Sequence, residues 1–412
     1  MRLAACVGCA AIALAVVAPA ADGGATRRVA IYSSLPERGA SADQARAIER
    51  GARMALADAG GKVGAHPVTF MTLDDSLAST GAADEGRGGK NARRAAHDHR
   101  TIGYIGEFNS GVSKVTIPIL NRAGIAQISP SNTYVGLTTN APGHEPGEPG
   151  KYYPTGRRTY ARVQANDSVQ AAALVTAARG HGCASVHVFN SGTTYSRGMS
   201  TTFARTARAV GLKVRRVVTY DPQAHDYKSL AAKVRSPCVV QAGEIEMHGA
   251  RLLSDVHNAR PKARLYGADG ICLNVSTDPT RGIPPSVAGR FRCTLAELAR
   301  HAYPPAGREF FKRYSARYGD AHPDPYAIYG YESMRLMLHS AQAALGPKGG
   351  IRRQRVVAKL FATRNRRSVL GRYSIDRHGD TTLRQYGLYR LAHGRLRFAR
   401  TLHSVRPVIR GR

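Results

Sequence analysis

The sequence has no tryptophan and few acidic residues: its 412 residues include 28 Asp and Glu against 60 Lys and Arg, for a formal net charge of +32 at pH 7. Such a basic excess is typical of proteins that bind nucleic acids. The arginines are nevertheless scattered along the whole chain, with no basic arm, zinc-finger spacing or aromatic-basic RNA motif. We therefore predict a generally basic surface and no specific nucleic-acid site.

The sequence motifs of common enzymes are also missing. There is no GxSxG nucleophile elbow, no P-loop, no HExxH pair and no GxGxxG after the first predicted strand. No CxxC occurs beyond the first 25 residues, so cysteine spacing does not support a metal site. These absences predict a protein that is not an enzyme and that carries no metal or cofactor.

Beyond the N-terminus, no stretch reaches the roughly 18 to 20 uninterrupted apolar residues that a membrane span needs. The N-terminus itself has a positive charge at Arg2, an apolar segment up to Val17 and small residues up to Ala25. That arrangement is typical of a secretory signal peptide. We therefore predict a signal peptide at residues 1–25 and an exported protein, located in the periplasm, outside the cell or at the cell envelope.

Apolar runs of strand length alternate with segments of helical periodicity along most of the chain. Strands are predicted at 28–32, 68–73, 102–105, 125–128, 185–189, 214–219, 239–242 and 264–267, and helices at 43–59, 89–98, 169–179, 197–210, 227–234, 249–258 and 326–344. Strands that alternate with helices indicate parallel sheets with right-handed crossovers. The predicted class is therefore α/β.

Two loops of small polar residues follow neighbouring predicted strands. Asn109 and Ser110 come after the strand at 102–105, and Ser131, Asn132 and Thr133 come after the strand at 125–128. In an open parallel α/β sheet, ligands bind outside the carboxyl ends of the strands. Hydroxyls and helix-start N–H groups suit a small anion such as a carboxylate. These loops therefore predict a ligand clamp.

Together with these loops, a series of segments resembles the type I periplasmic solute-binding proteins, in particular the branched-chain amino-acid (Leu/Ile/Val) binding proteins of ABC importers. In chain order the segments are RRVAIYSSLP, SADQARAIERGARMALADAGG, VTFMTLDDS, IGEFNS, ISPSNT, ARVQANDSVQAAAL, YGADG, HPDPYAIYGYESM and DRHGDTTLRQYGLYRL. The resemblance implies a bilobal fold with two doubly wound parallel-sheet lobes joined by a three-segment hinge. Lobe 1 would be 26–162 plus 293–375, and lobe 2 would be 163–292 plus 376–412.

The resemblance also implies a function. The chain would be the extracytoplasmic solute-binding component of an ABC-type importer, a monomer that captures a small amino-acid-like ligand between its lobes and presents it to a membrane permease. A branched-chain amino acid is the first expectation for the ligand. Two alternatives stay open: a ligand-sensing receptor on the same fold, and a binder of a cationic or amide solute.

Carried over from the family, the ligand carboxylate would be held by Ser110, Ser131 and Thr133, with turn formation after Pro130 as the alternative for Ser131 and Thr133. Tyr195 would close over the ligand, or pack as an ordinary core ring. Asp269 would bind the ammonium group, with a helix N-cap as the alternative.

Two further positions concern the side-chain end of the ligand. Tyr326 would line that pocket, or belong to an aromatic core stripe with Tyr329 and Tyr331. Glu244 departs from the Leu/Ile/Val binders, which carry an aromatic residue there. A second carboxylate beside Asp269 would favour a cationic group or raise one carboxyl pKa; alternatively, Glu244 points to solvent at the cleft rim.

Four cysteines remain after the predicted signal peptide, an even number in an exported protein, which is compatible with disulfides. In the family fold the strands that follow Cys183 and Cys238 are neighbours, which implies that these two cysteines pair. Cys272 and Cys293 would form the remaining pair. Four buried free thiols are the alternative.

Overall fold

The computed structural model describes residues 27–403. The predicted signal peptide at 1–25 and the end of the predicted lobe 2, residues 404–412, lie outside the described residues. Within residues 27–403, no helix combines the length and the apolar character that crossing a membrane requires.

The first sheet has six strands in the order β2-β3-β1-β4-β5-β6. They are β1 (Val29–Leu35), β2 (Lys62–Val63), β3 (His66–Asp74), β4 (Thr101–Ile105), β5 (Gln127–Ser129) and β6 (Tyr160–Arg162). All neighbours pair in parallel except β2 and β3, which form an antiparallel hairpin. The intervening helices are α1 (Ala42–Asp58), α2 (Glu85–His97) and α3 (Ser110–Arg122).

The second sheet has seven strands in the order β15-β14-β11-β10-β9-β7-β8. They are β7 (Ser185–Asn190), β8 (Lys213–Thr219), β9 (Cys238–Gln241), β10 (Arg264–Gly267), β11 (Phe291–Leu295), β14 (Gln385–Ala392) and β15 (Arg395–His403), and the accompanying helices are α4 (Asp167–Gly180), α5 (Thr194–Ala209), α6 (Lys228–Ala232), α7 (Gly249–Ala259) and α8 (Pro285–Ala288). Strands β7 to β11 pair in parallel, and β14 and β15 add an antiparallel edge.

Between β11 and β14 the chain forms α9 (Pro305–Tyr318), α10 (Tyr326–Ala343) and α11 (Arg353–Phe361), followed by the hairpin β12 (Arg366–Ser368) and β13 (Gly371–Tyr373). Helix α10 packs on α1 of the first sheet layer. The backbones approach closely, since a Cβ built on Gly330 would stand 2.1 Å from the carbonyl oxygen of Ile48. Glycine at this crossing therefore brings α10, and Tyr326 at its start, against the first sheet.

The predicted α/β class with two lobes is confirmed. One predicted boundary needs a change, because residue 292 lies inside β11 and Cys293 pairs with both Gly267 of β10 and Tyr389 of β14. Strand β11 therefore belongs to the second sheet as far as Leu295. The rest of the lobe division stays a prediction.

Several elements start at other residues than predicted, and α2 and β5 are two of them. Helix α2 begins at Glu85, four residues before the predicted start, because the Asp84 side chain accepts a hydrogen bond of 2.7 Å from the N–H of Arg87 and caps the helix. Strand β5 begins at Gln127, because the chain enters the sheet only after the turn that follows α3.

Both expected disulfides are present. Cys183 and Cys238, with Cα atoms 5.9 Å apart, join the starts of the neighbouring strands β7 and β9. Cys272 and Cys293, with Cα atoms 5.5 Å apart, join the turn after β10 to β11. The second bridge therefore fastens the segment that follows Asp269.

A buried ion pair joins two of the segments that connect the sheets. Arg162, at the end of β6, is fully buried and its Nε lies 2.7 Å from a carboxylate oxygen of Asp380. Asn166 donates to the other oxygen at 2.8 Å, and the Arg162 guanidinium also donates to the carbonyl of Tyr134 at 2.8 Å. A buried charge pair is retained when its remaining bonds are satisfied, so these contacts fix two crossing segments to each other.

Candidate ligand-binding site

A cavity of about 220 Å³ lies between the two sheets. Its walls come from the loops that follow β4, β5, β7, β9 and β10, from the start of α2 and the residues before it, and from the first residue of α10. The lining residues are Ala82, Ala83, Glu85, Phe108, Asn109, Ser110, Gly111, Val112, Ser131, Thr133, Thr193, Thr194, Tyr195, Glu244, Glu246, Met247, Asp269, Gly270, Leu273 and Tyr326. The cavity therefore sits at the carboxyl ends of parallel strands, where this class of fold binds ligands. Eight of the nine predicted ligand residues line it.

The amino end of α3 forms one wall. Its cap residue Asn109 makes no side-chain hydrogen bond to the helix, and Ser110, Gly111 and Val112 line the cavity. The first N–H groups of a helix lack intrahelical partners and carry a partial positive charge. With the Ser110 hydroxyl, this wall can receive a carboxylate group.

The loop after β5 adds Ser131 and Thr133, both buried. The Ser131 hydroxyl lies 3.0 Å from the carbonyl oxygen of Phe108 and 3.3 Å from that of Glu107, so it ties this loop to the one after β4. Thr133 lines the cavity, and its carbonyl accepts from the N–H of Asp167 at 2.9 Å. Both predicted hydroxyl groups are therefore at the cavity, and the Ser131 hydroxyl also hydrogen-bonds its loop to the loop after β4.

Asn132, the ninth predicted residue, is not in the lining. Its amide nitrogen donates to the carbonyls of Glu107 and Phe108 at 3.0 and 2.8 Å, and its oxygen accepts from Ser113 and Tyr160 at 2.5 and 3.0 Å. These four bonds hold the Asn132 side chain inside the loop, while its neighbours Ser131 and Thr133 face the cavity. The expected ligand contact is replaced by a structural one.

Asp269 lies opposite, directly after β10, and is 4% exposed. Tyr195 donates to one carboxylate oxygen at 2.5 Å and Gln164 donates to the other at 3.1 Å. Burial raises the pKa of Asp269 to about 6, against the hydrogen bond from Tyr195, which lowers it. The carboxylate is thus oriented by neutral donors and has no cationic partner among the described residues.

Aromatic and aliphatic side chains form the remaining wall. Tyr326 packs edge-on against Phe108 with ring centroids 5.3 Å apart, and Met247 and Leu273 line the same cavity. Tyr195 is also in this lining, with its hydroxyl engaged by Asp269. The predicted positions of both tyrosines at the ligand cavity agree with the structure, while their contact with a ligand stays a prediction.

Glu244 is 7% exposed and faces the cavity instead of the solvent. Ser191 and Thr193 donate to its two oxygens at 2.6 and 2.5 Å. Burial raises the pKa of Glu244 to about 7, and the nearby Glu246 carboxylate acts in the same direction. Glu246 also lines the cavity; one of its oxygens accepts from Ser41 at 3.1 Å, and the other is buried without a hydrogen-bond partner within the described residues.

Three lining residues that were not predicted from the sequence contribute a carboxyl group or an aromatic ring to the cavity. Glu246 lies two residues after Glu244 in the same loop, and Phe108 immediately precedes the predicted Asn109. The only sequence feature that could have indicated these two residues is that each shares a loop with a predicted one. Glu85 was hidden because the helix was predicted to start four residues later. No periodic pattern marks any of them.

Contacts between segments of the two sheet layers enclose the cavity. Ser41 before α1 bonds to Glu246, and Glu145 pairs with Arg197 of α5 at 2.7 Å. The hydroxyl of Thr202 on α5 donates to the carbonyl of Pro142 at 2.6 Å. Among residues 27–403 no group of three or more His, Cys, Asp or Glu side chains is arranged to hold a metal ion.

The chain belongs to the periplasmic binding protein family, whose model matches residues 33–395. Proteins of this family bind solutes and are not enzymes. A Leu/Ile/Val-binding protein homolog from Brucella suis is 25% identical over 389 residues, which cover 93% of this chain and 95% of the relative.

Solved structures show the same fold. A leucine binding protein from Thermotoga maritima superposes with a TM-score of 0.75 at 22% identity, covering 91% of this chain and 99% of that one. An ABC transporter solute binding protein from R. palustris in complex with benzoate gives 0.74 at 18% identity, covering 92% and 97%. Similar scaffolds therefore hold chemically different ligands, and the ligand of this chain depends on the residues of its own cavity.

Proposed function

We propose that this chain is the exported solute-binding component of an ABC importer and that it captures an α-amino acid between its two lobes. The observation that carries the proposal is the polarity of the cavity. One wall offers hydroxyls and the amino end of α3, and the opposite wall offers the buried carboxyl group of Asp269. A zwitterion has the matching pair of charges.

The carboxylate group would lie against Ser110, Thr133 and the first N–H groups of α3, because a desolvated carboxylate needs several convergent donors. The ammonium group would lie against Asp269, whose oxygens each receive one hydrogen bond and retain a free lone pair. Tyr195 and Tyr326 would enclose the ligand between these ends. After closure, the two lobes would present the ligand to the permease, and the monomer would suffice for this cycle.

An aromatic monocarboxylate such as benzoate fits this cavity less well. Four carboxyl groups line it, those of Glu85, Glu244, Glu246 and Asp269, and the lining contains no Lys, Arg or His side chain. Glu85 pairs with Lys114 at 3.9 Å, but an anion without a positive group would leave the carboxyls of Glu244, Glu246 and Asp269 uncompensated. A ligand-sensing receptor would bind the same ligand, and a neighbouring gene for a permease or an ATPase would favour transport over sensing.

Isothermal titration calorimetry tests the proposal. The exported chain would be unfolded, freed of copurified ligand, refolded and titrated at pH 8.0 with amino acids, with their N-acetyl and carboxamide derivatives, and with benzoate. We expect one-to-one binding of an amino acid, and loss of binding when either charged end is blocked. Ser110→Ala and Asp269→Asn should each weaken binding by about 1.5 to 3 kcal/mol, as for charged hydrogen bonds.

Asp226→Asn is the matched control, because Asp226 lies before α6 with an exposed side chain outside the cavity. The Asp226→Asn variant should bind the amino acid with the same affinity as the unmodified chain. Binding of benzoate with no binding of any amino acid would overturn the proposal.

A further inference from the structure

We infer that the ligand is an amino acid with a cationic side chain, whose second positive charge is received by Glu244 and Glu246. The inference rests on the proposed function and adds the chemistry of the side-chain end.

Glu244 stands directly beside the Asp269 turn. The N–H of Ile245 donates to the carbonyl of Gly270 at 2.9 Å, and a Cβ built on Gly270 would lie 3.3 Å from Cγ of Glu244. The loops after β9 and β10 are therefore joined, and they bring two buried acidic side chains to one wall of the cavity. An ammonium group at Asp269 compensates only one of them.

The carboxyl group of Glu244 has neutral neighbours. The two hydroxyls of Ser191 and Thr193 each occupy one lone pair, and no Lys, Arg or His of the described chain forms an ion pair with Glu244 or Glu246. This is notable in a chain with 60 basic and 28 acidic residues. A buried carboxylate without a cation is costly, so the wall is complementary to a positive charge that the protein itself does not supply.

The cavity also has room for a long side chain at this end. A second cavity of about 320 Å³ adjoins it and shares Ala82, Ala83, Glu246 and Met247 with it. Glu246 thus lies at the junction of the two spaces, with one buried carboxylate oxygen free of hydrogen bonds in the described structure. An extended alkyl chain could pass Met247 and place its terminal cation between Glu244 and Glu246.

The alkyl part of such a ligand has apolar surface to cover it. Phe108, Met247, Leu273 and Tyr326 line the cavity next to the polar groups. A chain of three or four methylene groups ending in an ammonium or guanidinium group would match this order of apolar and acidic surface. Lysine, ornithine and arginine have this chemistry.

The test uses pairs of ligands of equal shape and different charge. Lysine and norleucine, and arginine and citrulline, would be titrated calorimetrically into the refolded exported chain at pH 8.0. We expect the cationic member of each pair to bind at least about 30-fold more tightly, as for the removal of one charged hydrogen-bonded contact. Glu244→Gln should reduce that preference to less than about threefold while leaving the affinity for norleucine unchanged.

Glu246→Gln provides a second variant, expected to lower the preference in the same direction, in case Glu244→Gln does not fold. Glu309→Gln, an exposed change on α9, is the control and should keep the full preference. Equal binding of lysine and norleucine to the unmodified chain would overturn the inference and leave the proposed function standing. Binding of cadaverine with no binding of any amino acid would overturn the proposed function, because no α-carboxylate would be recognised.

Discussion

Lowering the pH from 8.0 to 5.5 should weaken the binding of lysine strongly and that of norleucine only slightly. The pKa of Glu244 is raised to about 7 and that of Asp269 to about 6, chiefly by burial. A cation binds the ionised carboxylates, so ligand binding favours proton release. Affinity is therefore complete above both pKa values and is lost as the pH falls through 7 and then 6.

The size of the effect follows from these two values. We take bound lysine to require both groups ionised. At pH 5.5, protonation then lowers the affinity for lysine by a factor of about 33 at Glu244 and by a factor of about 4 at Asp269. At pH 8.0 the combined factor is about 1. The expected loss for lysine is about 120-fold, or about 2.8 kcal/mol. Binding of norleucine requires only Asp269 to be ionised, so the affinity for norleucine should fall about fourfold over the same interval.

Three other titratable groups lie near Glu244, and none of them opposes this pH dependence. Burial raises the pKa of Asp167 well above its ordinary range, so any protonation of this carboxyl group as the pH falls acts in the same direction. Burial also raises the pKa of Tyr220, which stays neutral. The pKa of Glu246 is raised in the same direction as that of Glu244, so its titration adds to the loss.

Calorimetry in buffers of different ionisation enthalpy measures the protons directly. At pH 6.5 we expect about one proton released per lysine and about a quarter of a proton per norleucine. Glu244→Gln should remove the larger part of the pH dependence of lysine binding, and what remains above that of norleucine is assigned to Glu246. An affinity for lysine that is constant from pH 5.5 to 8.0, or proton uptake on binding, would refute the reasoning.

Three further changes test the scaffold. Gly330→Ala should lower the free energy of unfolding, measured by chemical denaturation, by about 3 kcal/mol, because its Cβ would stand 2.1 Å from a backbone oxygen of α1. Gly289→Ala is the control: its Cβ would meet nothing within 4 Å, so the denaturation midpoint should stay unchanged. Replacing Cys183 and Cys238 together by serine should cost about 4 kcal/mol in the same assay, since the bridge closes a loop with a sequence separation of 55. Gly198→Ala on α5 should weaken ligand affinity about tenfold, because its Cβ would stand 2.3 Å from the ring of Tyr134 across the two lobes; an unchanged affinity would show that this contact does not accompany closure.

The elements of the fold were predictable because each leaves a local signal. The strand at 264–267 was predicted with its exact bounds, since short apolar runs between turn residues indicate strands. The position of the cavity could be predicted from the ends of the predicted strands, because parallel strands place their carboxyl ends at the same edge of the sheet. The pair of Arg162 and Asp380 left no such signal, since a contact between residues 218 positions apart depends on the finished topology.

The site was predictable to the extent that its residues follow directly from strand ends. Asn132 was assigned to the ligand because all three residues of its loop are polar, so composition could not show which of them faces inward. Glu246 was missed because the loop after β9 is irregular, and irregular backbone has no periodicity from which a direction can be inferred. Only the placed side chains separate the acidic residues that line the cavity from those at the surface.

The net charge of the chain and the charge of its cavity have opposite signs, and distance explains why this is compatible. Exposed charges are screened beyond about 8 Å at physiological ionic strength, so the many surface arginines contribute little inside a closed cavity. There the nearest buried ionisable groups are Glu244, Glu246 and Asp269, and a charge in surroundings of low dielectric constant has its strongest influence. A total of +32 therefore does not predict an anionic ligand. The absence of any basic side chain from the described cavity lining is the observation that supports the cationic side chain we propose for the ligand.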